Sequence, residues 1–172
     1  MPELPDIELY CRSIERVAAG SPLREVKVFG LSLLRSVTPP LGEFSGQPLV
    51  GTRRIGKRIV LVFPEERYLV LHLMIAGRLL WKPEPPPPGR PAKIFSAYLV
   101  FESGTLMLTE AGTKKRAWLK AVQGEEALQA EDPGGLEPLE ITLEQFSERI
   151  LAAPHTLKRA LAMPRILSGI GN

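Results

Sequence analysis

A mainly β chain with helices, of the α+β class, is predicted by three features of the sequence. Short aliphatic and β-branched runs recur through the first two thirds of the chain, and glycine, proline and Ser-Gly signals separate them. Helical periodicity is confined to the amino terminus and to the residues after 135. Many short strands with turns between them favour a sandwich or barrel over a parallel sheet. The expectation is an amino-terminal β-sandwich with a long first helix over residues 1–135, followed over 136–172 by the beginning of a helical domain.

Residues 6–19 carry Ile7, Leu9, Cys11, Ile14, Val17 and Ala18 as an imperfect helical stripe, with Pro5 suited to a first turn and Gly20 to a stop. Strands are expected at 23–29, 49–55, 58–63, 68–74, 78–82, 95–102, 105–109 and 116–121, with Ser103-Gly104 as a hairpin turn. The proline run within 83–91 reads as an extended excursion between strands and receives no function. Beyond Pro133, Gly134 and Gly135 the period returns to helical. Thr142 and Gln145 make a capping box, with Leu143, Phe146, Ile150 and Leu151 as the apolar face behind it. A second helical piece covers 155–161.

The composition narrows the functional classes. At 172 residues with 44% hydrophobic content, the chain holds one full domain and a little over, with material for a real core. A net charge of +3 favours a polyanionic partner modestly. The single cysteine, Cys11, excludes a disulfide framework and any zinc site built from several cysteines; it reads as a buried residue of the first helix. No apolar run reaches the length of a membrane span and the start lacks a signal-peptide pattern, so no membrane partner and a cytoplasmic, nucleoid-associated location are expected.

Three segments carry chemistry. The chain opens Met1, Pro2, Glu3, Leu4, Pro5, Asp6, Ile7, Glu8. Removal of Met1 would expose a secondary amine at Pro2. A terminal amine is far less protonated at neutral pH than lysine, because its pKa lies near 8 rather than 10.4, and attack on a sugar carbon by such an amine yields an iminium. Glu3 is tethered beside it for proton transfer. The alternative is that Pro2 and Pro5 merely stiffen the entry to a helix. In the middle, Arg53, Arg54, Ile55, Gly56, Lys57 and Arg58 form a basic turn that runs into a β-branched strand. The bland reading of Lys57 is a solvated hairpin charge; the functional one is a cluster gripping phosphates, which sets register without reading sequence. At the far end, Ser168, Gly169, Ile170, Gly171 and Asn172 make a turn with close backbone approach, suited to an anion.

These segments, in this order, resemble the formamidopyrimidine-DNA glycosylase and endonuclease VIII family of base-excision repair enzymes. The opening octapeptide is similar to that family's start, Gly56-Lys57 to its catalytic-lysine turn, His72, Leu73, Ala76, Gly77, Arg78 and Leu79 to the strand and turn that follow, and Ser168 to Asn172 to the opening of its helix-two-turns-helix motif. The resemblance spans the whole chain, and family members continue for roughly another domain.

The resemblance implies a bifunctional glycosylase and abasic-site lyase acting on damaged double-stranded DNA as a monomer. Pro2, Glu3 and Lys57 would be catalytic. Arg54, Arg58, Met74, Ile75, Lys114, Lys115, Arg116, Lys158 and Asn172 would contact DNA. It also implies one structural zinc in the full-length protein, whose ligands are not nameable in these residues, and no cofactor within this stretch. Lys158 and Arg159 read equally well as an exposed helix face, and His72 reads as a hydrogen-bonded core residue rather than a base. As a fragment with Met1 in place, the chain is expected to bind DNA weakly and to show little activity.

The sequence departs from the family pattern at three places. Met74 lies one position early in the His-Leu-Gly-Met turn, with Ile75 following it. The loop from Glu110 to Arg116 carries Lys114, Lys115 and Arg116 but no aromatic residue to stack in the gap left by an extruded nucleotide. Asp6 stands where glutamate is usual. These changes bear on lesion choice and opposite-base preference. Two alternatives remain: a damage-binding module of the same fold without catalysis, and a plain β-sandwich interaction domain, which would leave the Gly-Asn turn and the basic hairpin unexplained.

Overall fold

The computed structural model describes residues 1–172 apart from 31, 86–88, 90 and 172. Helix α1, Leu4–Ala18, is followed by eight strands: β1 Leu23–Val28, β2 Gly51–Ile55, β3 Arg58–Phe63, β4 Arg67–His72, β5 Gly77–Lys82, β6 Phe95–Phe101, β7 Gly104–Glu110 and β8 Trp118–Gln123. Three short helices complete the chain, α2 Glu125–Gln129, α3 Leu143–Leu151 and α4 Leu157–Leu161. The strands form two antiparallel four-stranded sheets, ordered β1-β6-β7-β5 and β2-β3-β4-β8. The α+β architecture with a leading helix and a β-sandwich therefore agrees with the expectation from sequence.

Alternation within the strands explains how the two sheets face each other. Ile59, Leu61 and Phe63 of β3, Leu69 and Leu71 of β4, and Leu119 and Ala121 of β8 point inward. They meet Ala97, Leu99, Leu106 and Leu108 from the other sheet, and Ile7, Cys11, Ile14 and Ala18 from α1 close one side of the same core. The intervening residues Val60, Tyr68, Val70, Trp118 and Val122 are also buried, beneath Leu128 of α2, on the outer face. Strands buried on both faces read as unbroken apolar runs, which is why β3 and β4 show so little polar alternation. One row of this outer face, Arg58, His72 and Trp118, lies in direct cross-strand register.

The elements after residue 135 gather a separate small cluster. Ala160, Ile166 and Leu167 are its buried members, with Leu136, Phe146 and Ile150 packed around them. The capping box at Thr142 forms as expected: its hydroxyl accepts from the Gln145 amide and its own amide donates to the Gln145 side chain. Leu143 and Leu151 of α3 remain exposed, whereas Phe146 and Ile150 are half-buried. Sequence reasoning did not foresee α2 or the turn of 3-10 helix at Leu41–Phe44. Both are single turns, too short to show a period.

Candidate active site

Three stretches of chain meet at the amino terminus of α1. The Leu4 amide donates to the Gly169 carbonyl at 3.0 Å, which draws the 168–171 turn against the start of the helix. Gly169 has φ of +78°, and a Cβ there would stand 2.7 Å from Leu4 Cδ1. Only glycine satisfies both the left-handed backbone and the close approach. Gly56, at φ of +56° in the β2–β3 turn, lies beneath Ser168 on the third side, with a Cβ position 3.4 Å from the Ser168 hydroxyl.

The two catalytic candidates outside Pro2 are brought together here. Lys57 donates from Nζ to the Ile170 carbonyl at 2.8 Å. Burial pushes its ammonium below the ordinary value, and the Glu3 carboxylate opposes that shift. Glu3 lies against Gly171: a Cβ on that glycine would stand 2.8 Å from Glu3 Cδ and 2.9 Å from Met1 Cε. The backbone amide of Glu3 donates to Asp6 at 2.9 Å, so Asp6 restrains the residue that carries the candidate proton shuttle. Pro2 is buried, and it forms one end of a groove of about 480 Å³ that runs between α1 and β5 past Tyr10, Leu79 and Trp81. Met1 sits over Lys57, its sulfur 4.0 Å from Nζ.

Arg54 holds this arrangement from below. Its Nε donates to Glu8 of α1 at 2.8 Å, its Nη1 to the Gly56 carbonyl at 3.0 Å, and Nη1 and Nη2 together to the Glu137 carboxylate at 3.1 and 2.7 Å. One guanidinium thus ties the helix, the lysine turn and the segment leading to residue 168. Burial works against the charges in this cluster, yet hydrogen bonds from Arg54 and Ser168 leave the Glu137 carboxyl below its usual range.

Beside Lys57 a hollow of about 280 Å³ is lined by Gly56, Lys57, Arg58, His72, Ser168 and Gly169, among others. His72 accepts the Met74 amide at Nδ1 over 2.9 Å, which assigns its proton to Nε2 in the neutral ring. Burial first, and then the charges of Arg58, Lys57 and Arg35, push its pKa down from 6.5 to about 4. The hydrogen bond agrees with the reading of His72 as a hydrogen-bonded residue, but the ring is half-buried on the wall of the hollow rather than in the core, a placement that was not legible in sequence. Between pH 6.5 and 4 the unfolded chain binds a proton that the folded chain refuses, so stability falls as pH falls through this window. Wild type is expected to lose on the order of 2 kcal/mol more than His72→Gln across it, after discounting for solvent screening. Urea unfolding at several pH values measures this, and parallel curves for the two proteins would contradict it.

The remaining candidate DNA contacts are distributed differently. Met74 holds the left-handed conformation, φ +52°, in the β4–β5 turn and packs against the outer-face cluster, while Ile75 stands exposed at the tip. In the 110–116 loop, Lys114 and Arg116 are exposed, but Lys115 turns inward to the carbonyls of Lys93 and Phe95 and to the Ser96 hydroxyl. Glu110, buried at the base of this loop, accepts the Arg116 and Ala117 amides at 2.6 and 3.1 Å, a role that sequence reasoning missed. Lys158 is exposed on α4 and lines a separate hollow with Thr156, Arg159, Ala162 and Met163 that shares no residue with the Lys57 hollow. Asn172 lies outside the described residues. Among the described residues no three His, Cys, Asp or Glu side chains converge on a point where a metal ion would bind, so no zinc ligand is assigned. Among the described residues no helix is long and apolar enough to cross a membrane.

Comparison with known proteins places this geometry in context. Residues 1–116 match the family model described as the formamidopyrimidine-DNA glycosylase N-terminal domain. A formamidopyrimidine-DNA glycosylase of Solibacter usitatus is 29% identical over 174 residues, covering 100% of this chain and 62% of the relative. One from Escherichia coli O7:K1 is 27% identical, covering 100% and 63% respectively. The chain therefore spans less than two thirds of the length of these relatives. Among solved structures, that of the Lactococcus lactis enzyme non-covalently bound to DNA containing an abasic site superposes with a TM-score of 0.84 at 20% identity, covering 99% of this chain and 65% of that one. A structure of MutM with DNA containing carbocyclic 8-oxo-G gives a TM-score of 0.85, also at 20% identity, with coverage of 99% and 64%. At that identity these two likenesses establish the shared fold.

Proposed function

This chain belongs to the formamidopyrimidine-DNA glycosylase family, whose N-terminal domain it contains, and from that membership we propose that it supplies the nucleophile of a DNA base-excision enzyme. The observation that carries this reading is the convergence of Pro2, Glu3 and Lys57 with the 169–171 turn at one end of α1. Once Met1 is removed, the Pro2 nitrogen attacks the anomeric carbon of the damaged nucleotide, which must first be extruded because a stacked duplex shields that carbon. A C–N bond forms to Pro2, and the base leaves with the electron pair of its glycosidic bond. Glu3 protonates the ring oxygen as the sugar opens to an iminium linked to the enzyme. The iminium acidifies the adjacent carbon; loss of its proton expels the 3′ phosphate, and a second elimination expels the 5′ phosphate. Lys57, together with Lys158 and Asn172, holds the phosphates during these steps. With Met1 attached, the Pro2 nitrogen is an amide and lacks the free pair that the first bond requires.

Borohydride trapping tests the proposal. A polypeptide spanning the full length of the relatives, with Met1 removed as shown by mass spectrometry, is expected to give a covalent adduct with DNA containing an abasic site. Absence of that adduct would overturn the catalytic reading, and duplex binding without nicking would favour the non-catalytic damage-binding module instead. Because the chain covers only 62% of the Solibacter relative, residues 1–172 alone are expected to bind and nick more weakly than the longer polypeptide. Equal affinity and rate would refute that expectation.

A further inference from the structure

Two open sheets have four edges, and in this sandwich three of them are closed. The 45–47 segment caps β1: the Leu23 amide donates to the Gln47 carbonyl at 2.8 Å, the Gly46 amide to the Leu23 carbonyl at 2.7 Å, and the Ser45 hydroxyl to the Arg24 carbonyl at 2.8 Å. Helix α1 closes β2, its Glu15 accepting the Thr52 amide at 2.8 Å and the Thr52 hydroxyl at 3.0 Å. Residues 33–36 close β8: the Arg35 amide donates to the Leu119 carbonyl at 2.9 Å, the Leu119 amide to the Leu33 carbonyl at 2.8 Å, and the Ala121 amide to the Ser36 hydroxyl at 2.8 Å. The fourth edge, β5, is different. It pairs with β7 in unbroken register, and among the described residues no backbone group of residues 78–82 bonds to any element other than β7.

An open edge presents amides and carbonyls at every second residue, a template that another extended chain completes. Here it borders the 480 Å³ groove between β5 and α1. Successive strand residues point to opposite faces, so a groove lined by all of Arg78, Leu79, Leu80 and Trp81 runs along the strand's edge rather than over one face. Those residues span about 13 Å. The far wall is largely apolar, with Leu9, Tyr10 and Val17 of α1. Charge decides what kind of chain fits. Arg78 and Lys82 are exposed on the outer face of β5, Arg16 is exposed on the helix, and among the described residues none of the three forms an ion pair. The Asp6 carboxylate, the acidic group on the groove, already accepts the Glu3 amide. Pairing with a second copy would crowd two sets of Arg78 and Lys82 on one seam, and lysine on an edge guards against that. A segment bearing carboxylates meets complementary charge instead.

We propose that the β5 edge is a docking site for an extended acidic segment of a partner protein, which adds as a fifth strand to the β1-β6-β7-β5 sheet. Every second side chain of that segment is apolar and enters the groove beside Leu79 and Trp81. The alternate ones are carboxylates, lying next to Arg78 and Lys82 as cross-strand pairs. Main-chain hydrogen bonds to β5 supply affinity and the two side-chain rows supply selection. The site lies along α1 away from Lys57, and it stands independently of the DNA reading above.

The test uses the 172-residue chain and a fluorescein-labelled heptapeptide that alternates glutamate with valine, read by anisotropy and by amide hydrogen exchange. Saturable binding is expected, with slowed exchange within residues 78–82. The same peptide N-methylated at alternate backbone nitrogens should bind about tenfold more weakly, because it loses the donors that an added strand requires. A lysine–valine counterpart should also bind about tenfold more weakly, and Lys82→Glu should narrow or reverse that preference. Ser13→Trp fills the groove from the helix side and should abolish binding. Should Ser13→Trp fail to fold, the N-methylated peptide, which leaves the protein untouched, decides with the exposed Lys82→Glu. No binding, equal binding of the methylated and unmethylated peptides, or unchanged exchange at 78–82 would overturn the proposal. So would protection of 78–82 by duplex DNA in place of the peptide, by rising concentration of the chain alone, or within a polypeptide spanning the full length of the relatives before any peptide is added; these outcomes give the edge to DNA, to a second copy and to residues beyond 172 respectively.

Discussion

Replacing Arg54 with methionine is expected to lower unfolding stability by about 3–5 kcal/mol, the range for removing one partner of a buried charge network. That is a large share of the roughly 5–15 kcal/mol by which domains are held folded. The side chain of Arg54 is only 13% exposed, and its loss strands two carboxylates, Glu8 and Glu137, that have no other cation within bonding distance among the described residues. The damage should be spatially selective. Arg54 is the clamp between α1, the Gly56 turn and the segment at Glu137, so hydrogen exchange should accelerate at Leu136 and Ser168 before it does in β3 or β4. Acidification acts on the same clamp. The Glu137 carboxyl is depressed in the folded state, so its contribution is present above the ordinary carboxyl value and disappears as pH falls through the lower folded one. A urea midpoint for Arg54→Met within experimental error of wild type would show that the clamp does not hold these elements.

Gly171→Ala should have the opposite profile, with a modest effect on folding and a large one on chemistry. The added methyl meets the carboxyl end of Glu3 and the terminal carbon of Met1, both flexible, so the fold accommodates it for about 1 kcal/mol. The accommodation moves the Glu3 carboxylate. Displacing a catalytic group by about 1 Å costs on the order of a hundredfold in rate, so base release by a full-length, Met1-trimmed polypeptide should fall by that factor. Gly169→Ala provides the contrast. Its Cβ meets Leu4 at 2.7 Å on a backbone with φ of +78°, so it should lose stability as well as rate. Full activity in Gly171→Ala would remove Glu3 from the proton-transfer role.

The strands of the sandwich were legible because each is a local run: Ile59 to Phe63 and Leu69 to Leu73 announce extended backbone by composition alone. The amino-terminal helix, the capping box at Thr142 and the glycine turn at 169–171 were legible for the same reason, since a period, a cap or a left-handed position is written within a few residues. The distribution of the basic residues was not. Arg53, Arg54, Lys57 and Arg58 look alike in sequence, yet folding gives each a different partner. Arg53 pairs with Glu125 across 72 positions and Arg54 with Glu137 across 83, while Lys57 reaches the Ile170 carbonyl across 113 and Arg58 stacks on Trp118. Lys115 likewise spends its charge on carbonyls rather than holding it at the surface. By itself the sequence determined which residues carry charge and where the backbone extends or turns. Only the tertiary structure decided which charges are neutralised within the protein and which are left for a ligand, because an ion pair depends on distances in space between groups that chain order keeps far apart.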